Sequence, residues 1–130
     1  MSCVFCTHIQ PEQKLYESRY FFVVFDIAPI QEGHLLVISK AHRMNYRELN
    51  EEEIIDLNKL INQLIVLYED RYHVGVSVIM NNGKQMDDNL HFHVHILPRY
   101  QDDAFWDHVE PKHHSFDLED LKHSLNNKKM

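Results

Sequence analysis

Long apolar segments are absent from this sequence. Its longest apolar runs, at residues 20–25, 35–38 and 64–68, are far shorter than the roughly 20 residues that a membrane-spanning helix needs. The N-terminus also lacks the basic and then apolar pattern of a signal peptide. We therefore expect a cytoplasmic protein without a membrane partner.

Positive charge is scarce as well. Lysine and arginine together number 13 against 20 aspartates and glutamates, which gives a formal net charge of −7 at pH 7. Binding to a nucleic acid or to an anionic membrane surface needs a basic face, so neither is an expected partner. A small anionic ligand such as a nucleotide remains possible, because imidazoles and backbone N–H groups can invert the local field.

Cysteine occurs only at Cys3 and Cys6. In a cytoplasmic protein both are expected to be reduced, so a structural disulfide is not predicted. A redox Cys-x-x-Cys pair normally follows a strand and caps a helix, and nothing precedes residue 3 that could supply the strand. We therefore favour half of a metal site, with a redox pair or two ordinary buried thiols as the alternatives.

The length and composition predict one globular domain over residues 1–130. A chain of this length can bury one core but not two. The 44% content of hydrophobic residues is that of a globular protein rather than of a disordered one.

Histidine is unusually common, with 11 residues, and three of them alternate with apolar residues over 91–97. This alternation predicts a strand, on which neighbouring imidazoles of one face stand about 6.5–7 Å apart. That face carries His91, His93 and His95, and the opposite face carries Phe92, Val94 and Ile96. Buried imidazoles need hydrogen-bond partners or ligands, and a merely solvated face would more naturally hold Thr, Lys or Glu. The pattern therefore indicates binding or chemistry.

The rest of the chain predicts an α+β fold. Further strands are expected at residues 15–17, 20–25, 34–39 and 74–80. Asn50 and Glu53 form a capping-box pattern at the start of a helix that runs to about Arg71, and its apolar positions 54, 57, 60, 61, 64, 65 and 68 follow the helical period. Residues 101–114 are expected to be loop, and 116–125 allow a short C-terminal helix. Short links favour a five-stranded antiparallel sheet, with the long helix covering the Phe92 face.

These motifs resemble the histidine triad (HIT) family. Residues 91–97 match its pattern His-h-His-h-His-h-h, where h is an apolar residue, without a mismatch. Upstream elements in family order are Asp26-Ile27, the stretch 33–38, the stretch 39–42 and Asn81-Asn82-Gly83. The resemblance covers about residues 3–100 and leaves 101–130 as a C-terminal extension.

The resemblance implies a nucleotide hydrolase or transferase. His93 would attack the α-phosphorus and form a covalent nucleotidyl-histidine, which water then resolves. His95 would donate a hydrogen bond to a phosphoryl oxygen or to the leaving group, and His34 would complete the polar cluster. A neutral imidazole suits this nucleophilic role near pH 7. The implied substrates are purine nucleotides of the AMP-amine or diadenosine polyphosphate type.

The same resemblance implies the remaining site residues. Asp26 would accept the ribose hydroxyls, Asn81 would lie near ribose or phosphate, and Phe5 and Ile27 would line the base pocket. The N-terminal Cys-x-x-Cys resembles the zinc-containing bacterial-type members, which implies a structural zinc on Cys3, Cys6, His42 and His91. The family also implies a homodimer, and no organic cofactor is expected.

One departure and two alternatives accompany this interpretation. Asp87-Asp88-Asn89 stands where many members have a Gly-Gln-Ser/Thr-like phosphate contact, and acids beside an anionic substrate are unfavourable unless they point away or bind a cation. A metal-dependent hydrolase could use a His-x-His pair as ligands, although no acid follows within 96–99. A non-catalytic nucleotide-binding module on the same fold is the other alternative.

Overall fold

The computed structural model describes residues 3–127, which form one five-stranded sheet with a long helix packed on one face. The strands are β1 (Tyr16–Glu17), β2 (Phe21–Phe25), β3 (Leu35–Ser39), β4 (Gly75–Met80) and β5 (His93–Arg99). The α-helices are α1 (Val4–Thr7), α2 (Glu51–Tyr72) and α3 (Leu118–Asn126). All neighbouring strands are antiparallel, in the order β1-β2-β3-β5-β4. The predicted fold class is confirmed.

Helix α2 covers one face of the sheet, as its periodicity predicted. Its buried apolar side chains pack against strand residues that include Phe21, Val37 and Val94. The predicted capping box is present, because Glu53 N–H donates to Asn50 Oδ1 and Asn50 N–H donates to Glu53 Oε1, both at 2.9 Å. No helix of the described part of the chain is both long and apolar enough to span a bilayer.

The histidine strand begins two residues later than the alternation predicts. Outside β5, Phe92 N–H donates to the carbonyl of Arg43 at 2.6 Å, and Ser39 N–H donates to the carbonyl of Phe92 at 3.3 Å. These contacts tie Phe92 to the last residue of β3 and to the chain that follows it. The strand also runs through Pro98, since the β3–β5 pairing has already ended at Leu35 and Ile96. A central strand tolerates the proline where one neighbour is missing.

A buried ion pair fixes the start of α2 to this region. The Glu53 side chain is 2% exposed, and its Oε1 lies 3.0 Å from Nη2 of Arg43. The Arg43 Nε donates to the other carboxylate oxygen of Glu53 at 3.3 Å. Since the carbonyl of Arg43 also receives the Phe92 N–H, one residue connects the helix cap to the histidine segment.

We predict that Arg43→Met destabilises the protein by leaving the Glu53 carboxylate buried without a countercharge. The free energy of unfolding should fall by about 2 kcal/mol, less than for a fully buried pair because the Arg43 side chain is 34% exposed. Urea denaturation of the wild type, Arg43→Met and the Arg43→Met/Glu53→Gln double variant measures this. The double variant should recover part of the loss, and equal stability of all three proteins would contradict the prediction.

Candidate active site

The face of the sheet opposite α2 carries a cavity of about 220 Å³. Its walls come from the N-terminal segment, the end of β2 and the histidine strand. Its lining includes Phe5, Ile9, Asp26, Ile27, His93 and His95. A larger, mainly apolar cavity of about 790 Å³ lies beside α2, but no histidine lines it. The chemistry-bearing side chains therefore converge on the smaller cavity.

The central histidine, His93, has its protonation set by a backbone group. Its side chain is buried, and its Nδ1 lies 2.9 Å from the carbonyl oxygen of His91. A carbonyl oxygen only accepts hydrogen bonds, so Nδ1 carries the proton in the neutral ring. The other ring nitrogen, Nε2, then keeps its lone pair, which is the nucleophilic form of an imidazole.

The opposite tautomer follows for His95 from a chain of two hydrogen bonds. The Ile30 N–H donates to Nδ1 of His34 at 3.2 Å, so the neutral His34 ring holds its proton on Nε2. That nitrogen lies 2.9 Å from Nδ1 of His95, which must therefore accept. His95 is left with its own proton on Nε2, as a hydrogen-bond donor.

Burial keeps both of these rings uncharged. It lowers the pKa of His34, an effect that the nearby Asp26 carboxylate opposes. Burial, together with the neighbouring His93 and His34, likewise lowers the pKa of His95 to about 4, against an opposing effect of Asp26. At neutral pH the pair is therefore a neutral donor and acceptor rather than a charged group.

The turn before β3 holds His34 in place. Gly33 has φ +89°, a conformation that favours glycine. The hydroxyl of Tyr68 on α2 donates to the Gly33 carbonyl at 2.5 Å. Gln31 Nε2 donates to the carbonyl of Pro98 on β5. The turn is thus tied both to the helix and to the histidine strand.

Asp26, at the end of β2, brings an acid to the histidines. Its Oδ1 accepts the Ala28 N–H at 2.8 Å, and its Oδ2 lies 3.4 Å from Nε2 of His34. The ligand-capable atoms of Asp26, His34 and His95 lie within 4.8 Å of one another. No acid follows His95 within residues 96–99, but the β2–β3 hairpin brings Asp26 beside it from 69 residues earlier in the chain. The two strands of this hairpin were themselves predicted from the sequence, at residues 20–25 and 34–39.

The four predicted zinc ligands are brought together. One ligand atom from each of Cys3, Cys6, His42 and His91 lies within 4.8 Å of the others. Nδ1 of His91 is 3.2 Å from Sγ of Cys3 and 3.4 Å from Sγ of Cys6, and Nδ1 of His42 is 3.3 Å from Sγ of Cys6. Bonds of 2.0–2.3 Å in a tetrahedron separate ligand atoms by roughly 3.3–3.8 Å. The donor set and spacing therefore fit a four-coordinate metal.

A hydrogen bond also prepares His91 for such a role. Its Nε2 lies 2.6 Å from the carbonyl oxygen of Ser39, which places the ring proton there and leaves Nδ1 free toward the sulfurs. Burial lowers the pKa of His91, which further favours the unprotonated Nδ1. His91 thus faces away from the chemistry of His93 and His95.

The other predicted residues divide into two groups. Phe5 is buried on the cavity wall, and Ile27 lies at the rim with 91% of its surface exposed. Asn81 is exposed and lies one position beyond the last β4–β5 pair, Met80 and Val94, instead of lining the cavity. Asp87 and Asp88 are exposed as well.

Comparisons with known proteins find similar sequences and similar folds. A family model described as the HIT domain matches residues 7–102. The adenosine 5'-monophosphoramidase of Schizosaccharomyces pombe is 35% identical over 72% of this chain and 73% of that protein. The crystal structure of a member of the HIT family from Bacillus subtilis superposes with a TM-score of 0.75 and 28% identity, covering 99% of this chain and 96% of that one. A Zn-bound histidine triad family protein from Mycobacterium smegmatis gives a TM-score of 0.68 and 26% identity over 99% and 96%. The chain therefore belongs to the histidine triad family, as its motif predicted.

Proposed function

We propose that this protein is a nucleotide hydrolase that cleaves at the α-phosphate of a purine nucleotide derivative. An adenosine 5'-phosphoramidate is the leading substrate, and a diadenosine polyphosphate is the second. The observation that carries the proposal is a set of hydrogen bonds that gives two histidines at one cavity opposite tautomers. They leave a lone pair on Nε2 of His93 and a proton on Nε2 of His95. The phosphoramidase names of several relatives support the choice of substrate.

In the first step, Nε2 of His93 attacks the α-phosphorus while the bond to the leaving group breaks with its electron pair. The ring becomes positively charged, and the carbonyl of His91 stabilises it through the Nδ1–H. His95 donates a hydrogen bond to a phosphoryl oxygen or to the leaving group, which takes its proton from solvent. Since the pKa of His95 is about 4, the ring does this as a neutral donor.

In the second step, water resolves the covalent nucleotidyl-histidine. The oxygen of water bonds to phosphorus, a proton passes to solvent, and the electron pair of the P–N bond returns to His93. The hydrogen bond from Nδ1 persists throughout, so the ring comes back in its starting tautomer.

Asp26, Phe5 and Ile27 are proposed to bind the nucleoside. Phe5 and Ile27 give the cavity apolar surface for a base, and Asp26 on the same wall offers carboxylate oxygens to ribose hydroxyls. The exposed positions of Asp87 and Asp88 let their charges point to solvent rather than to a phosphate. A contact from Asn81 to ribose or phosphate stays a prediction.

The metal-dependent alternative would use the histidine row as ligands, and the group that could hold such an ion there is Asp26, His34 and His95. The hydrogen bond from Ile30 N–H argues against it, because an amide can only donate and Nδ1 of His34 must keep its lone pair. Binding a metal through Nε2 would then require an imidazolate or the loss of that bond. No comparable observation favours a non-catalytic module.

We propose a structural zinc on Cys3, Cys6, His42 and His91, which would fix the N-terminal segment to the sheet. The Zn-bound relative from Mycobacterium smegmatis supports this assignment.

We also propose that residues 1–130 act as one domain in a cytoplasmic homodimer. The edge position of β4 leaves a strand available for pairing, which sedimentation can test.

We predict that His93→Ala abolishes turnover and spares binding. The value of kcat for adenosine 5'-phosphoramidate should fall by about a thousandfold or more, because the nucleophile is lost. The affinity for AMP should change little, and the exposed His123 provides a matched control as His123→Ala. Rapid quenching followed by mass spectrometry should find the nucleotide adduct on residue 93 of the wild type. A near-normal rate for His93→Ala would exclude the role.

We predict opposite tautomers for the two active histidines in solution. Nitrogen-15 NMR of histidine-labelled protein at pH 7 should find the ring proton on Nδ1 of His93 and on Nε2 of His95. The variants His93→Gln and His95→Gln assign the signals. The same tautomer on both rings would contradict the proposed division of roles.

We predict that the low pKa of His95 makes stability fall in mild acid. Between pH 6.5 and about 4 the unfolded chain binds a proton at this residue and the native state does not, so the free energy of unfolding decreases as the pH falls. Thermal denaturation across this range should show a shallower dependence for His95→Gln than for the wild type. Identical slopes would count against the shifted pKa.

A further inference from the structure

The segment that carries the two cysteines also builds the nucleotide cavity. We call residues 3–9 the N-terminal wall. Val4, Phe5 and Ile9 of this wall line the cavity together with His93 and His95. The cysteines that flank Val4 and Phe5 belong to the Cys3, Cys6, His42 and His91 cluster. Metal ligands and cavity lining therefore alternate along one short stretch.

Phe5 contacts the histidines directly. Its side chain is 9% exposed, and its ring centroid lies 5.5 Å from that of His91 and 5.0 Å from that of His93, both edge-on. The position of this ring therefore decides both the shape of the cavity and the packing around the proposed nucleophile.

Little else attaches the wall to the protein. Within the described residues, one backbone hydrogen bond joins residues 3–9 to the rest of the chain, from Val4 N–H to the carbonyl of Asn89 at 2.9 Å. Helix α1 has only four residues, too few to be stable by itself in water. The remaining attachment is apolar packing and the four-residue cluster.

We propose that zinc on this cluster sets the affinity of the cavity for the nucleotide, by holding Phe5 and the rest of the wall against the histidines. This inference rests on the proposed function. It differs from a role in fold stability, because among residues 3–127 none before Tyr20 belongs to the core between α2 and the sheet. A protein with a released wall should keep that core and lose the cavity.

His91 provides a second connection from the cluster to the chemistry. Its side chain belongs to the cluster, and its carbonyl accepts the Nδ1–H of His93. Fixing the His91 ring therefore also limits the motion of the carbonyl that orients the nucleophile. Release of the metal should raise the dissociation constant for nucleotide and also lower kcat.

The test compares the full chain loaded with one equivalent of zinc with the same chain stripped by a chelator under reducing conditions. Calorimetric titration with AMP should give a dissociation constant about tenfold higher or more in the stripped protein, and re-added zinc should restore it. Far-UV circular dichroism at low temperature should show that α2 remains helical in both forms.

Variants separate the wall from the metal. Phe5→Ala should retain zinc by elemental analysis and still weaken AMP binding by about tenfold, since the cavity loses its aromatic surface. Phe116→Ala is the matched control, because that ring is 71% exposed and does not line the cavity.

Equal AMP affinity in the loaded and stripped proteins, with only a lower melting temperature after stripping, would overturn the inference and leave the proposed function standing. A chain that takes up no zinc would overturn it as well. Absence of AMP binding even in the zinc-loaded protein would instead remove the proposed function, and the inference with it.

Discussion

The site depends on one hydrogen bond, from Nδ1 of His93 to the carbonyl of His91. This contact directs the proton to one side of the ring and leaves the lone pair on the other. The carbonyl is available because strand pairing on β5 begins only at His93. A ladder that extended two residues further would have placed residue 91 within regular pairing. The late start of the strand is therefore part of the active-site geometry.

Backbone groups also determine the partner tautomer. The Ile30 N–H selects the protonated nitrogen of His34, and His34 in turn selects that of His95. Two histidines separated by one residue thus have opposite proton arrangements that backbone groups select, and the Asp26 carboxylate near Nε2 of His34 favours the same arrangement. Proteins give neighbouring titratable groups different roles by placing them in environments that favour different protonation states. The proposed hydrolase needs this division, with one ring attacking and the other donating.

The residues that hold the site in place are bonded to helix α2 of the main core. Arg43 receives the Phe92 N–H on its carbonyl and pairs its side chain with the buried Glu53 of the helix cap. Tyr68, four residues before the end of the same helix, holds the Gly33 carbonyl beside His34. A single long helix therefore anchors both sides of the histidine cluster, from the face of the sheet opposite to the cavity. The elements that pack into the main core carry His34, His93 and His95, and the N-terminal wall completes the cavity.

Local sequence patterns were sufficient for most of the fold. The strand regions, the capping box of Asn50 and Glu53 and the apolar stripe of α2 follow from side-chain periodicity and from contacts three or four residues apart. The start of β5 was predicted two residues too early, because an alternating pattern of side chains contains no information about the long-range backbone hydrogen bond between Phe92 and Arg43. The one-turn helix at Val4–Thr7 was not predicted, since four residues carry no periodicity.

By itself the sequence determined the histidine row, its division into two faces and the family, because these depend on residue type and spacing along one strand. Only the tertiary structure decided which nitrogen of each histidine bears the proton, since this depends on carbonyl and amide groups brought from His91 and Ile30. It also decided that Asp26 stands beside His34 and His95, and that Cys3 and Cys6 meet His42 and His91. These are contacts between residues far apart in the chain, and their geometry exists only once the sheet and its turns have formed.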